Sequence, residues 1–322
     1  MGTNTFPAPP ARTRRASSWG DRIFHGLTAA GGLALVGLFL ALLVILYNVG
    51  QPTIGRFGFS YLWTTVWDAN RNIYGAAPAI TGTLLTSGVA LLLGVPLSVG
   101  AAIFLTQQAP KWLADPISQV VELLAAVPSV VFGFWGAFVL VPLMRYTIEP
   151  AIKGALGWTG LFADTPIGID VLTASFVLTF MIVPTITAIS RESMAAVPAE
   201  QREGALSLGA TDWEATRRVI VPFAKSGIFG GIILGLGRAL GETMAVLMVI
   251  GNVQRIPTSL FSQGSTLATT IANNFTEASG PLEYSALIEA GLVLLVITFF
   301  VNIGARLILW RFQGVSGSGG PP

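Results

Sequence analysis

No cysteine occurs among the 322 residues, so disulfides and thiolate metal sites are excluded. A single histidine, His25, rules out a multi-histidine metal centre. It stands at the start of the first apolar run and reads as an interfacial residue without a special role. Charge is scarce as well: Asp, Glu, Lys and Arg make up 11% of the chain, against about 25% in a soluble domain. A formal charge of +2 is too small to suggest a nucleic-acid partner. The phosphate-cradling pattern G-x-x-x-x-G-K-[ST] is missing; its nearest approach, Lys225-Ser226, follows Ala224 where glycine is required. No catalytic set, metal or cofactor is therefore expected on this chain.

What is abundant is apolar surface, at 52% of residues and a mean hydropathy of +0.70. A span needs about 20 mainly apolar residues. Six runs qualify, near 24–47, 78–106, 117–143, 168–189, 227–251 and 285–309. The first exceeds a signal-peptide core and is read as a retained helix in contact with the lipid bilayer. The chain thus divides into a disordered basic tail (1–20), the first span with an aromatic loop (21–77), a five-span block (78–310) and a short C-terminal tail (311–322). Six spans put both termini on one side. The segments on that side hold twelve lysines and arginines and the opposite loops five, Arg238 being the remaining one of 18. The positive-inside rule makes the side with twelve cytoplasmic.

The outward loops carry their own signals. Residues 57–74, FGFSYLWTTVWDANRNIY, are aromatic and suit the membrane interface. Leu267, Ile271 and Phe275 recur every four residues, which predicts a short amphipathic outer helix, re-entrant or packed on the rim. Pro96, Pro128 and Pro184 predict kinks inside spans. Gly227, Gly231 and Gly235, with Gly237 and Gly241 beyond, leave one face of the fifth span small enough for a second helix to approach closely.

Within the fifth span, GRALGETMAVLMVIGN places Arg238 and Glu242 in an apolar setting. A charge at the bilayer centre costs about 2.5–3.5 kcal/mol on insertion scales, so such residues mark function by default. Four residues apart on one continuous helix, the two would share a face and could pair. The arginine fork also suits an oxyanion. Two readings stand: a structural ion pair, or an anion site in which Glu242 holds Arg238 in place or exchanges with the anion during the cycle. Thr243, Ser129 and Asn252 could add hydrogen bonds to an anion, with packing roles equally open for all three. Glu122 and Glu289 are read as snorkelling or interhelical groups.

Residues 190–226 form the longest cytoplasmic segment, far beyond the roughly 2–8 residues that connect packed helices. One short helix starts after Pro198. A second starts at Thr211, where Thr-Asp-Trp-Glu is a capping box, and Gly209 supplies the turn between them. Ala205, Leu206 and Leu208 give a small apolar surface with Arg202 and Glu203 on its rim, enough for a helix-in-groove contact.

EGALSLGATDWEATRRVIVP resembles the EAA loop of ABC importer permeases. Glu203, Ala205, Gly209 and Pro222 match the family pattern at the right spacing; Gly204 replaces an alanine, and Val219 and Val221 replace isoleucine and leucine. GRALGETMAVLMVIGN, ELLAAVPSVVFGFWG and LLLGVPLSVGAAIFL resemble the PstC family of phosphate permeases, and with the loop they cover most of 75–309. The resemblance implies an all-α polytopic membrane protein with six transmembrane helices and the type I (MetI-like) importer fold. It implies that Glu203, Gly204, Ala205, Leu206, Gly209 and Pro222 belong to a coupling element. It also implies the partners: a PstA-like permease, a PstB-like ATPase dimer that holds ATP and Mg, and an external PstS-like protein that delivers inorganic phosphate. A permease for sulfate or molybdate, an ion-coupled carrier with Glu242 or Glu289 as proton site, and a phosphate-sensing subunit remain as alternatives.

Overall fold

The computed structural model describes residues 19–313, with side chains through 307. The basic tail expected over 1–20 and the C-terminal tail lie almost wholly outside them. Among the described residues there is no strand beyond two isolated bridges, and six helices are long and apolar enough to cross a membrane. The chain is a multi-pass membrane protein.

Contacts divide the chain at Asn48 into two units. The first is the leading part of α1 (Trp19–Phe57), and none of its described residues is buried. A helix apolar on all faces belongs in lipid. The second unit begins at Val49 and contains the end of α1, α2 (Ser60–Trp63), α3 (Ala77–Gln108), α4 (Lys111–Ala125), α5 (Ser129–Thr159) and α6 (Val171–Ala195). It continues through α7 (Ala199–Ser207), α8 (Asp212–Gly241), α9 (Met244–Leu247), α10 (Leu267–Asn274) and α11 (Pro281–Gln313).

The most buried span is α6, and its small polar residues explain how it packs. Ser175 and Thr179 return their hydroxyls to the carbonyls one turn back, at 2.7 and 2.8 Å, so they need no water. Thr179 and Thr187 also reach the carbonyls of Ala90 and Ser98 at 3.4 and 3.3 Å. Both contacts join residues 89 apart, so α3 and α6 run in the same direction in fixed register. Between them sits Gly94, where a Cβ would come within 3.0 Å of Ile182.

Also against α6, the glycine stripe of α8 works as its spacing predicts. A Cβ at Gly227 would meet Ser193, at Gly231 Ile189, and at Gly235 Ile186, all on α6. Gly237 and Gly241 face open space instead, so the second glycine pair is outside this contact.

Two predicted spans are corrected. The third was expected over 117–143, yet α4 carries the exposed Asp115 and Glu122 and stops at Ala125; the crossing helix is α5, which restarts after Pro128. Proline removes a donor and disfavours helix at the residue before it, so the break falls where it does. The fifth was expected over 227–251, but α8 begins at Asp212 and ends at Gly241.

The amphipathic helix expected near 267–275 is α10. Thr266 and Thr269 cap each other across its first turn, Leu267 is buried, and the Leu267 N–H donates to Thr83 of α3 at 2.9 Å. It packs on α3 and α11. In the aromatic loop, Phe59 and Trp63 are exposed while Tyr61 and Tyr74 are fully buried, so part of the stretch expected at the interface is packed inside the protein.

Candidate functional site

The site forms where two helices stop. α4 ends at Ala125, whose carbonyl has no donor within the helix. α8 ends at Gly241, and Glu242 turns to an extended backbone (φ −71°, ψ 125°). Arg238, three residues before that end and half-buried, reaches across. Its Nη1 donates to the Ala125 carbonyl at 3.2 Å and to the Thr185 hydroxyl on α6 at 3.3 Å. A cation among carbonyls at helix C-termini is favourably placed, because the backbone dipoles leave partial negative charge there. Among the described residues, Nε and Nη2 of Arg238 donate to nothing.

The expected Arg238–Glu242 pair is absent from the ion pairs of the described residues. The reason is the helix break. The two would share a face only on a continuous helix, and Glu242 lies beyond the last turn. Its Oε1 instead accepts the Ala245 N–H at 3.2 Å, holding the first turn of α9. Thr243 donates to the Gly241 carbonyl at 3.3 Å, bracing the same break. Arg238 stands 26 residues into α8, which begins at Asp212.

Ser129 opens α5 and is half-buried. One turn later is Gly133, where a Cβ would lie 2.7 Å from Met248 Sδ and 3.0 Å from Ala245 Cα. Ser129 therefore belongs to the face of α5 that meets the broken segment after α8. Asn252, with a left-handed φ of 56°, donates to the Leu247 carbonyl at 2.8 Å and closes that segment. Irregular backbone at membrane depth is tolerated where protein buries it or where it lines a polar path. Neither Ala125 nor Thr185 was a sequence candidate. A backbone carbonyl leaves no mark in sequence, and Thr185 was hidden behind the kink signal of Pro184.

The second site is α7 and the turn after it. The Gly209 N–H donates to Leu206 O at 2.9 Å and the Ala210 N–H to Ala205 O at 3.1 Å, the two bonds of a Schellman end. Gly209 has φ +88°, which glycine adopts without strain. Thr211 and Glu214 then form the predicted capping box at 3.3 and 3.1 Å, and Arg202 pairs with Asp212 at 2.7 Å. Glu203 and Gly204 are exposed, Ala205 and Leu206 half-buried, and Leu208 is 91% exposed. The apolar contact offered to solvent is thus chiefly Leu208. Pro222 is exposed and follows wide helical turns over Thr216–Ile220, which accommodate its missing N–H. Of the weaker candidates, Glu122 is paired with Arg191, and Glu289 is buried with no partner for its Oε2.

A third feature was missed by sequence. Glu149 and Asp170 are both fully buried. Thr173 links them: its N–H donates to Asp170 Oδ1 at 2.8 Å and its hydroxyl to Glu149 Oε1 at 3.3 Å. Burial, aided by the neighbouring Glu149 charge, pushes the Asp170 carboxyl up to about 8 from 3.8. The folded chain therefore keeps a proton that the unfolded chain releases, and stability falls as pH rises between 3.8 and about 8. We expect the melting temperature of the purified chain to drop between about pH 4 and pH 8 and to level off above that. Asp170→Asn, which keeps the helix cap without the charge, should flatten that profile.

Residues 94–313 match the family described as the binding-protein-dependent transport system inner membrane component. The chain belongs to this permease family. Within it, this permease is 45% identical to the "Phosphate transport system permease protein PstC" of Mesorhizobium japonicum, over 92% of each chain. It is 46% identical to the protein of that name from Haemophilus influenzae, over 93% of this chain and 96% of the relative. It is a member of the PstC group. Among solved structures, a chain of a bacterial alginate ABC transporter aligns over 95% of the permease and 100% of its own length, with a TM-score of 0.60 and 17% identity. A chain of the MetNI methionine ABC transporter aligns over 73% and 95%, with a TM-score of 0.57 and 15% identity. At such identities the likeness is one of fold, the MetI-like importer fold.

Proposed function

We propose that this permease is the membrane subunit of an ATP-driven phosphate importer and forms the translocation pathway with a second, PstA-like permease. The observation that carries the reading is Arg238: a half-buried guanidinium, held by Ala125 and Thr185, with Nε and Nη2 unspent among the described residues. Those donors suit an oxyanion, and Thr243 and Ser129 stand on the elements that border it. Glu242 shapes the break that carries the site. The phosphate named for the relatives fits this chemistry.

An external PstS-like protein delivers phosphate. A PstB-like ATPase dimer binds ATP and Mg, and this chain supplies no nucleotide site. Glu203, Gly204, Ala205 and Leu206 on α7, with the turn at Gly209 and the re-entry at Pro222, form the coupling element that docks on the ATPase. Both termini are cytoplasmic, on the side of the basic segments. ATP binding closes the ATPase dimer, and α7 passes that motion through α8, whose stripe of glycines is packed on α6.

Deleting the gene should abolish phosphate uptake that is vanadate-sensitive and ionophore-insensitive. Residual uptake of the reverse profile as the sole high-affinity route would point to an ion-coupled carrier instead. The coupling contact has its own test. Leu208→Asp places a charge where a buried apolar contact is needed, and should lower phosphate-stimulated ATP hydrolysis by about tenfold or more, since losing a buried leucine costs roughly 1.5–3 kcal/mol. Full stimulation in that variant would remove Leu208 from the interface.

A further inference from the structure

At the end of the bundle opposite α7, a cavity of about 420 Å³ opens between the last turn of α1, α2, α3 and α11. That volume is in the range of small-molecule sites. Its walls are apolar, from Ile54, Leu62, Ile80, Val293 and Ile297 among others, with one exception, Glu289. That carboxyl belongs to a residue only 5% exposed, and its Oε2 has no hydrogen-bond partner among the described residues. The nearby phenol cannot serve it, because Tyr61 spends its hydroxyl on the Ala286 carbonyl at 2.8 Å. An unpartnered buried carboxyl is costly, and a donor brought by a ligand offsets that cost.

The walls are pinned in advance. Thr53 and Ser285 hydroxyls bond at 2.6 Å, tying α1 to α11, and Tyr61 ties α2 to α11. The cavity therefore exists without its ligand. Its mouth is marked by Phe59 and Trp63, 85% and 78% exposed. Exposed aromatics of this kind sit at the headgroup level of a bilayer. A molecule entering here comes from the lipid phase, with its polar group reaching Glu289 and its tail among the apolar side chains.

We propose that this cavity binds a membrane lipid whose head carries a primary ammonium, the ammonium donating to Glu289 and the acyl chain filling the apolar remainder. The charge of the ligand follows from the carboxyl, its donor from the unpaired Oε2, and its tail from the lining. The site is separate from Arg238 and does not depend on which solute the permease carries.

The test uses the full chain in phosphatidylcholine nanodiscs doped with dibrominated lipids, which quench nearby tryptophan. The signal of Trp63 is the difference between the wild type and Trp63→Phe. A dibrominated phosphatidylethanolamine should half-quench it at about tenfold lower mole fraction than the choline lipid with the same tails, since choline has no N–H to give and a charged hydrogen bond is worth about that factor. Glu289→Gln should remove most of the preference. Equal quenching by both heads in the wild type would mean that only the tail is recognised, and would overturn the proposal without any variant. A preference that survives Glu289→Gln would overturn it equally.

Discussion

Arg238→Gln should cut phosphate uptake by the assembled transporter by about ten- to a hundredfold, the range of one or two charge-assisted hydrogen bonds of roughly 1.5–3 kcal/mol. Assembly and ATPase binding should survive, because the coupling segment around α7 is far along the chain from Gly241. Glutamine keeps a donor that can still answer the Ala125 carbonyl or Thr185, but it loses the charge and the fork. Arg238→Lys separates these two losses. Lysine restores charge as a point, without the planar pair of donors, and should recover only part of the rate. Glu242→Gln should be milder than Arg238→Gln. Its carboxyl caps Ala245 and has no ion pair with Arg238, and an amide oxygen can accept the same N–H. Equal losses in the two variants would show that they act as a pair during the cycle.

A packing change elsewhere in the bundle should be as damaging to folding as Arg238→Gln is to transport. Gly82 of α3 faces the backbone of the segment before α10, and a Cβ there would lie 1.9 Å from Ser265 O. A carbonyl in a paired segment cannot swing aside as a side chain can. Around it, Val253 N–H donates to Gly264 O and Gly264 N–H to Ile250 O, both at 3.1 Å. Gly82→Ala must therefore push that whole segment off α3, and overpacking of this kind costs about 1–3 kcal/mol, at times more. We expect a lower melting temperature and a poor yield of folded chain. Gly88, six residues on in the same helix, has nothing among the described residues within 4 Å of its would-be Cβ. Gly88→Ala should be neutral or slightly stabilising, which separates packing from helix propensity.

How much of this was legible in the sequence follows from how local each signal is. The Gly209 turn and the Thr211–Glu214 box depend on residues three apart, and both formed as read. The α6-facing stripe of Gly227, Gly231 and Gly235 was legible because period and size alone define it. The break after Gly241 was not. GETM carries no proline, and an apolar run extends on both sides, so the pattern suits an unbroken span. The break is bound up with tertiary contacts: α9 lies against Gly133 of α5, and Glu242 holds its first turn. The pairing of Arg238 with Glu242 failed with that assumption. Its true partners lie 113 and 53 residues away, one of them a carbonyl. The Glu149–Asp170 pair was invisible for the same reason, since Glu149 reads as a loop charge until Thr173 is brought to it.

The most direct test of the account reconstitutes this permease in liposomes with its partner permease, the ATPase and the external binding protein, and follows labelled phosphate. The account predicts accumulation that requires ATP and every component, that excess sulfate or molybdate does not compete away, and that Arg238→Gln loses while the ATPase stays bound. Accumulation without ATP, or transport of sulfate in place of phosphate, would contradict it.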